Sequence, residues 1–224
     1  MDISEAIRTR KSIRGYKTDP VPIEILRKII ETAKRAPSAM NTQPWEITVV
    51  TGDVLDNIRQ GQIELLRAGV TPDVTTPPKP FEGKYRQRQV DLAIQVFKLM
   101  GIVREDKKKR AEWLERGYRF FDAPVAIILA ADVSLHETHS QFDIGAFTQT
   151  ICLAAMEYGL GTCIIDQGIA FSGVLRRFAQ IPEHKRIAAS VAIGYPDWDF
   201  PANKLETPRE PLEEFTTWHG FSRT

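Results

Sequence analysis

The chain has 224 residues, 42% of them hydrophobic and 26% charged, with a formal net charge of +1. This is the composition of a soluble globular protein, and so small a net charge gives no global attraction to nucleic acid or an acidic membrane surface. Two cysteines, Cys152 and Cys163, are too few for a disulfide framework and read as reduced thiols.

Asp2 followed by Glu5 reads as a capping box opening a short helix that runs out near Arg8–Arg10, with Ile3, Ala6 and Ile7 on its apolar side. MDISEAIRTR has no apolar core of a secretory signal, and the expected location is the cytoplasm. Pro22 suits the first turn of a second helix, whose Ile25, Leu26, Ile29, Ile30 and Ala33 recur at helical spacing until Pro37. WEITVV (45–50) alternates as a strand, and 53–68 is an amphipathic helix through Leu55, Ile58, Leu65 and Leu66. Prolines at 72, 77, 78 and 80 predict a loop or lid over 71–83. Helical patterns follow at 84–102 and 105–120, then a fully buried strand at 124–132. Its VAIILAA is the longest wholly apolar run, too short to span a bilayer, so no membrane partner is expected. Residues 141–158 form a helix apolar nearly all round, ended by Gly159 and Gly161. Strands at 162–166 and 187–194 flank a short helix near 171–179, and the chain is irregular after Gly194. No internal repeat or domain boundary is visible, and the alternation points to an α+β or mixed α/β layer structure.

Two stretches carry chemistry. RTRKSIRGY (8–16) surrounds Ser12 with cations, and in an extended segment Arg10, Ser12 and Arg14 share one side. Two guanidiniums beside a hydroxyl suit a phosphate, although a solvated basic turn gives the same pattern. APSAMNTQPW (36–45) offers amides at Asn41 and Gln43 with small Ser38 and Ala39 between. Such amides can pair with the edge of a flat heterocycle, or can simply satisfy the backbone of a helix stop. Together, a phosphate cluster and an amide loop describe a site for a phosphorylated flavin or a nucleotide.

The pattern Arg10-x-Ser12-x-Arg14, followed by Pro37-Ser38-x-x-Asn41-x-Gln43-Pro44-Trp45, resembles the nitroreductase family of FMN-dependent oxidoreductases. GLGTCIIDQG (159–168), RFFDAPVAIIL (119–129) and NKLETPREP (203–211) extend the resemblance over nearly the whole chain. It implies an α+β fold, three layers α/β/α around a mixed, mainly antiparallel sheet, in an intertwined homodimer with FMN sites built from both chains. The chain would be a single FMN-binding domain over 1–224, with a lid or insertion at 71–120 and a C-terminal extension at 195–224 reaching the partner subunit. By the same resemblance Arg10, Lys11, Ser12 and Arg14 hold phosphate, ribityl and the pyrimidine end of the flavin. Pro37, Ser38, Ala39, Asn41 and Gln43 line the ring from the partner subunit. Ile165, Asp166, Gln167 and Gly168 lie near flavin N5, and Arg209 grips phosphate, with Thr207 where a lysine is often found and Lys204 as its substitute. The 141–158 helix would pack on its twin, although a helix buried within one monomer predicts the same composition.

The implied activity is reduction of nitroaromatics, quinones or similar electron-poor rings by NAD(P)H in a ping-pong mechanism. No catalytic side chain is required because the flavin carries the chemistry. Arg14 is expected at the flavin N1/O2 edge, raising the reduction potential. No G-x-G-x-x-G follows a strand, consistent with one slot shared by reductant and oxidant. Phe81, Tyr85 and Arg86 are the substrate candidates, to stack on an aromatic and meet a nitro or carboxylate group. Reductive dehalogenation, flavin breakdown or non-enzymatic flavin binding are the alternatives on this scaffold. The basic residues are too few, and lack a stacking platform, for a nucleic-acid module. His136 and His139 have no third ligand in a motif, so no metal is expected.

Overall fold

The computed structural model describes residues 2–73 and 80–221. Its centre is strand β2 (Val125–Asp132), whose residues are buried through Ala131 because both faces are covered. β1 (Glu46–Thr51) pairs with one edge of β2 and β4 (Lys185–Gly194) with the other, and β3 (Gly161–Ile164) adds beyond β4. All three pairings are antiparallel. The one parallel element is an isolated bridge from Ser12 to Thr162, which lays the N-terminal segment on the free edge of β3.

Alternation along β2 divides the interior in two. Ala126 and Ile128 face a core made with Leu55 and Ile58 of α3 (Gly52–Arg67), Leu175 of α7 (Ser172–Ala179), and Phe120 and Phe121. Val125, Ile127 and Leu129 face a second core made with Leu26 and Ile29 of α2 (Ile23–Ala33) and Ile144, Phe147 and Ile151 of α6 (Glu137–Met156). Each fully buried side chain of this size stabilises the fold by about 1.5–3 kcal/mol relative to exposure, so β2 anchors both helical layers. The result is the three-layer α/β/α arrangement.

Differences from the sequence-based elements lie at ends and surfaces. Pro22 stands at the N-cap of α2, one residue before its first turn. Asp2 caps α1 (Ile3–Thr9) by accepting from Ser4 N–H at 2.9 Å, yet α1 buries nothing: Ile3 and Ile7 are 73% and 55% exposed. α6 starts four residues before the expected 141, taking in His139, and its Phe142 is 79% exposed. β3 ends at Ile164, so Asp166 lies outside the strand. The predicted 84–102 and 105–120 helices are α4 (Gly83–Leu99) and α5 (Lys107–Tyr118). Part of the proline-rich stretch, 74–79 with Pro77 and Pro78, lies outside the described residues. After β4 the described chain makes two short 3₁₀ turns, Pro201–Lys204 and Leu212–Glu214.

Candidate functional site

Residues 10–14 run along the edge of β3 as an extended strap. Ile13 turns inward, 2% exposed, and donates its N–H to Thr162 O at 2.9 Å. Period two then leaves Ser12 and Arg14 on the side opposite Ile13, and Arg10, Lys11, Ser12 and Arg14 are all half-buried. Arg10 is the C-cap of α1 and not part of the strap's ladder. Lys11 reaches the tail, with Nζ 3.5 Å from Leu205 O and 6.0 Å from the Trp198 ring centre. Arg14 lies 5.9 Å over the Phe121 ring and donates to Ser12 O at 3.3 Å. Arg10, Lys11 and Trp198 line a cavity of about 160 Å³ against Gly161 and Thr162.

Two buried groups stiffen this edge. The Tyr16 hydroxyl donates to Ile13 O at 2.9 Å, and burial pushes it well above the ordinary tyrosine value. Cys163, beneath the strap on β3, is pushed by burial to about 11, with Arg14 and Ser12 opposing the shift. Such a thiol stays protonated and inert at neutral pH.

The amide loop is built differently. Ser38 precedes a 3₁₀ turn at Ala39–Asn41, and Met40, Asn41 and Gln43 take left-handed φ of 51°, 58° and 47°. Ala39 N–H donates at 3.1 Å to Asp143, a carboxylate on α6 that is only 4% exposed. Gln43 is spent locally: its N–H donates to Ser38 Oγ at 3.0 Å and its side-chain amide to Asn41 O at 3.3 Å. Pro37, Ala39, Met40 and Asn41 are exposed. The loop leaves through Trp45, stacked on Phe147 with centroids 4.7 Å apart and planes at 5°.

Past β3, Ile165 points into the core, and both its main-chain groups are engaged by Ser190. The exposed side chains here are Ile164, absent from the sequence-based set, and Asp166. Gln167 presses its amide on Gly117 of α5, where an added Cβ would stand 1.8 Å from Oε1. Gly168 is buried against Phe120, and its carbonyl accepts from Gln62 at 2.9 Å. The structure thus gathers Arg10, Lys11, Ser12 and Arg14 at one edge. Arg209 lies elsewhere: it donates to Thr207 and Pro208 carbonyls and lines a cavity of about 380 Å³ with α4 residues Arg88, Asp91 and Gln95. Glu210 ties that tail to α4 through Arg88 at 2.8 Å. Phe81, Tyr85 and Arg86 are exposed at the start of α4. Tyr85 has Arg88 5.6 Å from its ring centre.

Sequence reasoning passed over Asp143, Arg116 and Asn203. A lone acid inside the apolar QFDIGAF was a usable signal, because a buried carboxylate needs a donor. Arg116 and Asn203 act on partners 102 and 189 residues away, which no local pattern reveals. The His136 and His139 rings lie 4.7 Å apart, tilted at 39°, near the start of α6, and among the described residues no group of three or more metal-ligating side chains forms. No helix among them is long and apolar enough to cross a membrane.

This arrangement has close counterparts. The chain is 36% identical over 219 residues to the nitrobenzene nitroreductase of Ectopseudomonas oleovorans, covering 96% of each chain. It superposes with TM-score 0.92 on the FMN- and NADPH-dependent nitroreductase NfnB of Sphigopyxis sp. strain HMH, at 29% identity over 99% of this chain and 100% of the other. The FMN-dependent NfnB of Mycobacterium smegmatis, solved with NADPH, matches with TM-score 0.90 at 26% identity, covering 98% and 97%. The sequence model of the Nitroreductase family matches residues 7–195, and the chain belongs to that family.

Proposed function

We propose that this protein is an FMN-dependent oxidoreductase that takes electrons from NAD(P)H and reduces nitroaromatic, quinone or similar electron-poor aromatic compounds by a ping-pong mechanism in the cytoplasm. The observation that carries the reading is the strap at 10–14, which sets two guanidiniums, an ammonium and a hydroxyl along one open sheet edge. That donor set fits a phosphorylated flavin: forked cations for phosphate and the electron-rich pyrimidine edge, a hydroxyl for the ribityl chain. Bound FMN supplies the two-electron chemistry. The protein's residues bind and orient it. Arg10, Lys11 and Ser12 hold the phosphate and ribityl end, Arg14 the pyrimidine end, with Lys204 from the tail as a further phosphate ligand. Main chain at 165–168, with the exposed Ile164 and Asp166, borders the reactive edge.

The site is completed by a second copy of the chain. The cavity lined by Arg10 and Lys11 holds about 160 Å³ within one chain, below the ~300–1,000 Å³ usual for cofactor pockets. The partner's exposed Pro37–Asn41 loop supplies the missing wall. Support comes from apolar surface that a lone chain leaves open: Ile3 and Ile7 of α1, Phe142 of α6, and Phe215, Trp218 and Phe221 in the tail. The whole of 1–224 is then one domain, with 71–120 as lid and 195–224 as the arm to the partner. Phe81, Tyr85 and Arg86 at the start of α4 meet the aromatic substrate.

The test is spectroscopic. Purified protein loaded with FMN should lose its 450 nm absorbance with NADPH or NADH under argon, and regain it on adding a nitroarene. Flavin that neither nucleotide bleaches would reduce the reading to a flavin-binding protein, and failure to bind micromolar FMN would remove it.

A further inference from the structure

We propose that Asn203 and Arg116 are positioning residues that clamp the main chain of Arg14 and thereby aim its guanidinium at the cofactor; this rests on the FMN reading above. Along the strap, main-chain pairing to the sheet is made by Ile13 with Thr162 and resumes at Lys17 with Tyr195. Between them, side chains take both polar main-chain groups of Arg14. Its N–H donates to Asn203 Oδ1 at 2.7 Å, and its carbonyl accepts from Arg116 Nη2 at 3.1 Å.

Asparagine is the residue this place requires. Its oxygen accepts from Arg14 while its amide donates at 2.7 Å to Gly15 O and at 2.7 Å to Asp197 O. One acceptor and two donors are all used, which also fixes which way the amide faces. The side chain is 1% exposed, so none of these bonds competes with water. Arg116 is held in turn by Asp122 at 2.9 Å and by the Phe200 ring, 4.7 Å from its guanidinium. Phe200 fills the space above Gly15, where an added Cβ would stand 2.2 Å from the ring, and begins the turn bearing Asn203. Tail, α5 and strap are therefore one interlocked unit. The Arg14 main chain is thus fixed on both sides, and the guanidinium it carries lies 5.9 Å over the Phe121 ring.

Asn203→Leu, close in size and uncharged, removes the acceptor for Arg14 N–H together with both donors; Arg116→Lys keeps the charge beside Asp122 and removes the fork. The experiment measures three quantities on FMN-loaded proteins: the FMN dissociation constant, the midpoint potential at saturating FMN, and the melting temperature. Arg14→Ala is the reference: it should weaken FMN binding about tenfold or more and lower the potential. Asn203→Leu should weaken binding by about five- to tenfold and lower the potential toward that of Arg14→Ala. Combined with Arg14→Ala it should lower the potential no further. Arg116→Lys, the milder change, should shift both in the same direction, and it decides the matter if Asn203→Leu does not fold. A merely structural role would lower the melting temperature and leave the potential of the loaded protein at its wild-type value; that result overturns the proposal. Unchanged FMN binding and potential in Arg14→Ala would likewise overturn the proposal, whereas failure of the unaltered protein to bind FMN would overturn the FMN reading itself.

Discussion

The strap at 10–16 and the loop at 37–43 are made by opposite means. The strap's backbone is bonded to β3, to the tail and to α5, and Ile13 and Gly15 are buried within it. The loop holds three residues in left-handed backbone and is tied to the rest of the chain by one carboxylate, with Met40 99% exposed at its tip. Non-glycine residues in that conformation cost roughly 1 kcal/mol or more each, which the tether to Asp143, the Gln43 bonds and the Trp45 stack must offset. One half of the proposed site is completed inside the chain, and in the reading proposed above the other is completed by a second copy.

The sharpest way to break this contrast is at the loop's exit. Phe147→Ala removes the fully buried ring on which Trp45 stacks and should cost about 3–5 kcal/mol of stability, measured by urea unfolding. A loss below 1 kcal/mol would mean that the loop is not anchored in the core.

The buried half should respond to alkali. The folded-state value of Cys163, about 11, lies above its ordinary 9.0, so its stabilising contribution is complete below pH 9 and is lost as pH rises toward 11. That difference corresponds to about 3 kcal/mol. Chemical unfolding of Cys163→Ala across this range should show a correspondingly shallower decline than wild type; equal slopes would exclude the thiol as its source. Tyr16 acts in the same direction at higher pH, since its value is raised by burial as well.

At the loop's tether, Asp143→Ala should cost about 2 kcal/mol and speed hydrogen exchange at the Ala39 amide. Unchanged exchange would show that the loop keeps its shape without α6. The smallest effect is expected at the tip, where Met40→Gly relieves the positive φ and should stabilise the chain by about 1 kcal/mol in thermal melts. Destabilisation there would mean that Met40 makes contacts worth more than its strain.

The layers were legible because burial follows period: β2 and the helices that cover it announce themselves in VAIILAAD and in the 3.6-residue repeats of α2 and α3. Ends were less so. The 141–158 pattern begins after HETHS, yet residues 137–140 form the first turn of α6, while Pro22 was placed one residue inside a helix that it caps. In the site, the cations around Ser12 were visible as composition, but the orientation of each side chain was not. Ile165 and Ile164 are alike in sequence, and only the pairing of β3 with β4 decides that the first enters the core and the second stays exposed. Arg209 stands in a recognisable tail motif, yet the bond between Glu210 and Arg88 draws that stretch onto α4.

The central claim, that each FMN is held by the strap of one copy and the loop of another, is tested most directly by mixing two defective chains. One carries Arg10→Ala and Arg14→Ala, the other a loop disabled by Ser38→Pro and Asn41→Ala. Each alone should bind no FMN at micromolar concentration, whereas co-refolded hybrid dimers should bind one FMN per pair, because one site then has an intact strap facing an intact loop. Hybrids that bind none, or a loop variant that as a monomer binds one FMN per chain, would contradict the account.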